Sequence, residues 1–226
     1  MRRLLIAAAL LATAGAASAE ERSFAVGGFQ RVAASGSEDV IIITGKAVSV
    51  VATGPQKRLD LLDIRVEGDT LKIGHKKGNS WDWSNDKVTI RVTVPALHGV
   101  SMAGSGDITA DSGSGPAFAV SLAGSGDVRV DRINSPTVSL STAGSGDITV
   151  SGKCTTAKAS ISGSGDMILA GLQCADIDIG ISGSGDVTAQ ATRTANVRIS
   201  GSGDVRITGG AKCQTRTSGS GSVSCG

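Results

Sequence analysis

Six aspartates, Asp107, Asp127, Asp147, Asp166, Asp186 and Asp204, each close a copy of the tetrapeptide Gly-Ser-Gly-Asp. The copies start at Gly104, Gly124, Gly144, Gly163, Gly183 and Gly201, and a seventh, at Gly219, ends in Ser222 instead. Carboxylates stacked about 5 Å apart repel by about 1 kcal/mol in water and about 3 kcal/mol at an effective dielectric of about 20. Such a row must be solvated, hydrogen-bonded or neutralised by cations. Two chemistries satisfy it. In one, each carboxylate accepts bonds from the amides of its own Gly-Ser-Gly turn, as in an Asx-turn. In the other the row binds Ca²⁺, as glycine- and aspartate-rich nonapeptide repeats do. One carboxylate per turn of about twenty residues supplies few ligands, so the turn-amide reading is preferred and no cofactor or resident metal is expected.

The remaining chemistry-bearing residues are sparse. Trp81 and Trp83, the chain's only tryptophans, flank Asp82 in a polar stretch and suit a sugar-stacking platform or a hydrophobic cap. His75 and His98 stand apart, with no recognisable nucleophile and base spaced around either. Gly-Ser-Gly does not open a helix here, so it fails the context of a dinucleotide loop. Asp127 with Arg129 and Asp204 with Arg206 come nearest to the outer-face residues with which some β-helices cleave polysaccharides, an argument from fold analogy alone. No enzyme activity is expected.

The tetrapeptides recur at intervals of 20, 20, 19, 20, 18 and 18 residues, which marks a solenoid built of one supersecondary unit. Apolar residues alternate on both sides of each copy, as in Phe118-Ala119-Val120-Ser121-Leu122 before one turn and Val128-Arg129-Val130 after it. A period of two means strands with one buried face. Four residues of the same type in every copy favour turns stacked on themselves over the hairpins of a meander. The sequence therefore predicts an all-β fold, a right-handed, single-stranded parallel β-helix with coils of about 18–20 residues. Residues 104–226 form its regular coils. Residues 20–103 form degenerate first coils and a cap, with a worn turn at Ser35-Gly36-Ser37 in which Glu38 reads as an insertion, and a short helix near Pro55–Leu62. Cys154 and Cys174 each lie nine residues before a Gly-Ser-Gly, which places them in adjacent coils. Cys213 and Cys225 lie six residues before and after Gly219. Disulfides Cys154–Cys174 and Cys213–Cys225 follow.

Residues 1–19 read as a signal peptide: Arg2 and Arg3, an apolar run, then Ala17-Ser18-Ala19 before Glu20. The rest, 20–226, reads as one domain of an exported protein, placed in the bacterial periplasm or at the cell surface. Twenty Lys and Arg then balance twenty Asp and Glu, leaving no cationic footprint for nucleic acid. No other run is apolar enough to span a bilayer as a helix.

The pattern resembles the head GIN domain family, described as auto-transporter adhesins. The residues that carry the likeness are Phe29-Gln30-Arg31-Val32, Asp39-Val40-Ile41-Ile42, Val66 to Ile73, Val92 to Leu97 and the tetrapeptide repeats. The resemblance covers roughly residues 24–210 and implies a right-handed parallel β-helix in an exported bacterial protein. The function expected is an adhesin-like binding or surface-interaction module for a glycan or protein ligand. A carbohydrate-active enzyme and a structural envelope component are the alternatives. Pairing of copies through the solenoid ends fits the exposed final coil.

Overall fold

A computed structural model describes residues 20–76 and 87–226. Its strands are β1 (Glu20–Phe24), β2 (Arg31–Gly36), β3 (Asp39–Thr44), β4 (Ser49–Gly54), β5 (Leu62–Glu67), β6 (Thr70–His75), β7 (Thr89–Val94), β8 (Gly99–Gly104), β9 (Ile108–Ala110) and β10 (Gly113–Ser114). There follow β11 (Ala117–Gly124), β12 (Val128–Asn134), β13 (Thr137–Gly144), β14 (Ile148–Gly163), β15 (Met167–Gly183), β16 (Val187–Gly201), β17 (Val205–Thr208), β18 (Lys212–Gly219) and β19 (Val223–Cys225). The one helix among the described residues, α1 (Gln56–Leu61), starts after Pro55, whose fixed φ suits a helix start.

From β8 onward the chain is the expected parallel β-solenoid. One sheet holds the strands that lead into each turn, the other those that leave it. Gly104 pairs in register with Gly124, and the row continues through Gly144, Gly163, Gly183 and Gly201 to Gly219. A shorter third arc closes each coil, with Gly113 on Ile133 and Ile133 on Gly152. The tetrapeptide allows this close stacking. Gly124 has φ 131°, and a Cβ there would lie 2.1 Å from the Gly104 carbonyl oxygen; one on Gly126 would lie 1.9 Å from that of Gly106. Any side chain at either place would push two backbones apart.

Inward residues stack in columns. Met102, Leu122, Thr142, Ile161, Ile181 and Ile199 form one, all nearly inaccessible to solvent. Each buried aliphatic side chain contributes at most about 1.5–3 kcal/mol. The column ends in exposed Thr217, beside exposed Thr215, so the last coil is a polar cap. Its disulfide Cys213–Cys225 has a Cα separation of 6.6 Å, and Cys154–Cys174 joins adjacent coils at 4.6 Å. Both pairs are those the spacing predicts.

The N-terminal region departs from sequence-ordered parallel coils. β2 lies between β6 and β8, and β3 between β7 and β9. β6 and β7 therefore stack on the far side of β2 and β3, away from β8 and β9. Beyond it β4 runs antiparallel to β7, β1 antiparallel to β4, and β5 forms a hairpin with β6. No tetrapeptide occurs between residues 45 and 98 to hold a parallel register. Gly68, at φ 63° in the two-residue loop Gly68-Asp69, reverses the chain instead. Glu38 is not an insertion, because Gly36 pairs with Gly104 and Val40 with Ile108. It occupies the third position of the turn, where the other copies have glycine.

Candidate functional site

The aspartates do form one row along the turn edge, but their partners differ from the expectation. The backbone N–H of each aspartate donates to Oδ1 of the aspartate one coil earlier: Asp127 to Asp107 at 2.8 Å, Asp147 to Asp127 at 2.9 Å, Asp166 to Asp147 at 2.8 Å. Asp186 on Asp166 and Asp204 on Asp186 continue it at 2.8 and 2.7 Å. The carboxylates do not accept from their own turns because those amides are already used. Ser125 and Gly126, for example, donate to the Gly104 carbonyl at 2.9 and 3.2 Å. Sequence reasoning missed the first rung, Asp39, which accepts from the Asp107 amide at 3.3 Å. At the far end Asp204 accepts from the Ser222 amide at 2.8 Å and its hydroxyl at 2.9 Å, and these bonds hold its carboxyl below the usual carboxylate range. Among the described residues no cluster of three or more His, Cys, Asp or Glu is arranged to hold a metal ion.

Neither pair named on fold analogy is assembled as a site. Arg129 Nε donates to Asp131 at 2.7 Å, and Asp204 is engaged by Ser222. Trp81 and Trp83 lie outside the described residues. His75 instead joins a cluster at the N-terminal end that the spacing did not reveal. Glu38, with its side chain 3% exposed, lies 2.9 Å from His75 Nε2 and 3.4 Å from an Arg58 nitrogen. A buried carboxylate needs such partners. They come from α1 and β6, so the cluster ties the cap to the first turn.

The broadest continuous surface is the outer face of the sheet that leads into the turns. Its outward column runs Ser101, Ser121, Ser141, Ser160, then Gly180, Arg198 and Arg216, in register throughout. Ser141 Oγ donates to Ser121 Oγ at 3.3 Å. Ala103, Ala123 and Ala143, followed by Ser162, Ser182, Ser200 and Ser218, form the next column toward the turn. Small side chains leave the face flat, and a shallow groove opens at each end of it. The first, about 450 Å³, is bordered by Ser35, Asp63, Arg65, Glu67, Lys72 and His75. Its arginine is satisfied internally, since Arg65 is bonded to Asp63 and, at 2.9 Å, to Glu67. The second, about 430 Å³, is lined by Ser160, Gly180 and the Arg198–Arg216 pair together with the serines of the turn-side column. Arg198 touches Asp178 at 3.0 Å, while among the described residues no carboxylate pairs with Arg216. Outside the groove, nearer the start of the same coils, Arg193 and Thr194 bond Asp176 and push its carboxyl down to about 2.

The described residues from β8 onward form a parallel solenoid stapled by two disulfides, with a flat outer face. The matching family model, "Putative auto-transporter adhesin, head GIN domain", covers residues 28–211, and the chain belongs to this family. Among solved structures it is similar to a "putative adhesin" from Bacteroides fragilis NCTC 9343, with TM-score 0.83, 22% identity, and 93% of this chain and 98% of that one covered. A "putative lipid binding protein" from Parabacteroides distasonis ATCC 8503 gives 0.71 at 23% identity over 92% and 97%. A "putative adhesin" from Parabacteroides merdae ATCC 43184 gives 0.72 at 18% over 92% and 96%. At these identities the likeness shows the fold alone. The chain matches none of the curated proteins. In the described residues no helix is long and apolar enough to cross a membrane.

Proposed function

We propose that this chain is an exported, adhesin-like binding module that acts without catalysis and engages an extended surface ligand, a glycan or a protein, across the flat outer face of the sheet leading into the turns. The observation that supports this most is the uninterrupted register of small outward side chains from Ser101 to Gly180, which leaves room for a ligand to lie along the solenoid axis. A ligand there contacts many coils weakly, and the affinity comes from their sum. The fold carries the ligand face, and the aspartate row only holds the turns together.

Replacing Ser121 and Ser141 by glutamine raises two larger, uncharged side chains in mid-face while their Cα atoms stay in place. Retention of the protein on whole bacterial or host cells should fall at least about tenfold relative to the unaltered chain. The circular dichroism spectrum and melting temperature should stay unchanged. Undiminished retention by a folded double variant would remove this face from the function. Hydrolysis or elimination products from any member of a polysaccharide panel would favour the enzyme reading.

A further inference from the structure

We infer that the groove at Gly180, Arg198 and Arg216 is a subsite for an acidic polysaccharide, its carboxylate or sulfate groups pairing with the two guanidinium groups; this rests on the face proposed above. Gly180 is the first observation. A β-strand interior disfavours glycine by roughly 0.5–1 kcal/mol relative to alanine. Most repeat glycines are explained by a positive φ or by backbone that a Cβ would strike. At Gly180 the φ is not positive and a Cβ would meet nothing within 4 Å. The three preceding coils and their neighbour carry serine in this column, so the fold itself accepts a side chain there. What the glycine does is open the groove floor beside Arg198.

Charge is the second. From Val187 to the end, Arg193, Arg198, Arg206, Lys212 and Arg216 outnumber the one acid of that segment, Asp204, although residues 20–226 balance overall. Arg193 and Arg198 pair with Asp176 and Asp178 of the preceding coil, and among the described residues no carboxylate pairs with Arg216. Arg198 and Arg216 pair in register on adjacent strands, so two like charges sit side by side. Asp178 compensates Arg198 in part, through one guanidinium nitrogen at 3.0 Å, which leaves the remaining donors of Arg198 and the whole of Arg216 to form charge-assisted hydrogen bonds with a polymer bearing regularly spaced anions. The groove's serine hydroxyls and shallow floor suit a polyhydroxylated chain. No aromatic ring lines it to stack a base, and the only large apolar side chain well exposed among the described residues, Ile168, lies on the other sheet. An acidic glycan is therefore favoured over single-stranded nucleic acid or an anionic membrane.

Affinity electrophoresis through polygalacturonate, beside neutral mannan, with sedimentation on phosphatidylglycerol vesicles and binding to oligo-dT, tests this. Retardation is expected in polygalacturonate alone and should weaken as salt rises. Arg198→Ser with Arg216→Ser should raise the apparent Kd at least about tenfold, whereas Arg206→Ser on the other sheet should leave it unchanged. Gly180→Leu, which fills the groove and keeps both arginines, should also weaken binding, with an unchanged melting curve. The inference is overturned if polygalacturonate does not retard the protein, if the double arginine variant binds as before, or if vesicles or oligo-dT are preferred. Should it fail while the Ser121 and Ser141 variant still loses cell binding, the face stands and only the ligand class falls.

Discussion

The two halves of this solenoid solve the same problem, stacking strands without open backbone groups, by different means. From β8 onward the corner between the two main sheets is Gly-Ser-Gly-Asp in six copies and Gly-Ser-Gly-Ser in the seventh, and each coil lies in register on its predecessor. Between β1 and β7 the corners are unlike one another, the chain doubles back, and antiparallel pairs close the end. The third turn position shows the difference most sharply. In the repeats it admits only hydrogen, because the neighbouring carbonyl is 1.9–2.2 Å from where a Cβ would be. In the first turn it carries Glu38, whose side chain reaches Arg58 and His75. Repetition thus excludes a side chain from the third position, and release from repetition turns the same position into a site for a buried ion pair.

The largest effect should come from Gly126→Ala, which must separate two stacked backbones; a loss of at least about 3 kcal/mol in urea unfolding is expected. If this variant is as stable as the parent, the corners are not what keeps the repeat half in register. Next comes removal of the terminal staple by Cys213→Ser with Cys225→Ser. This should cost up to about 3 kcal/mol, with faster hydrogen exchange confined to β18 and β19. Fraying that spread to the middle coils would show the two halves to be less separable than described. Glu38→Gln should cost about 2 kcal/mol and loosen β6 and α1 while β11 to β16 keep their protection.

The smallest effect concerns acid. Arg193 and Thr194 hold the Asp176 carboxyl near about 2, and Ser222 lowers Asp204. A carboxyl whose pKa is depressed by folding stabilises the native state above its unfolded value near about 3.9, and that contribution disappears as pH falls through the folded value. Between about pH 4 and pH 2 the last coils should therefore lose exchange protection, with Asp176→Asn flattening part of the response.

Much of the repeat half was legible because its constraint is local. A two-residue alternation and an invariant corner fix strand, turn and register together, and from register the cysteine partners follow. The aspartate row was legible as a row but not in its bonding, since nothing in one coil reveals that its own amides are taken by the carbonyl of the coil before. The N-terminal half hid more. Whether β4 runs with or against β7 depends on contacts between distant segments, and Glu38 beside His75 and Arg58 is a meeting of three elements that no spacing encodes. Gly180 stands where its column passes from serine to arginine, and its meaning required knowing that the space above it is empty.

Ser222 closes the row of acids. Each carboxylate in the edge row takes an amide from the following storey, and at the seventh turn a serine stands in place of the acid. A hydroxyl that both gives and receives finishes the series without stranding a charge. Length is consequently a free variable between fixed terminations. Excising one whole storey from the middle, or duplicating one, should shorten or extend the thread by a single step and leave both ends as they are.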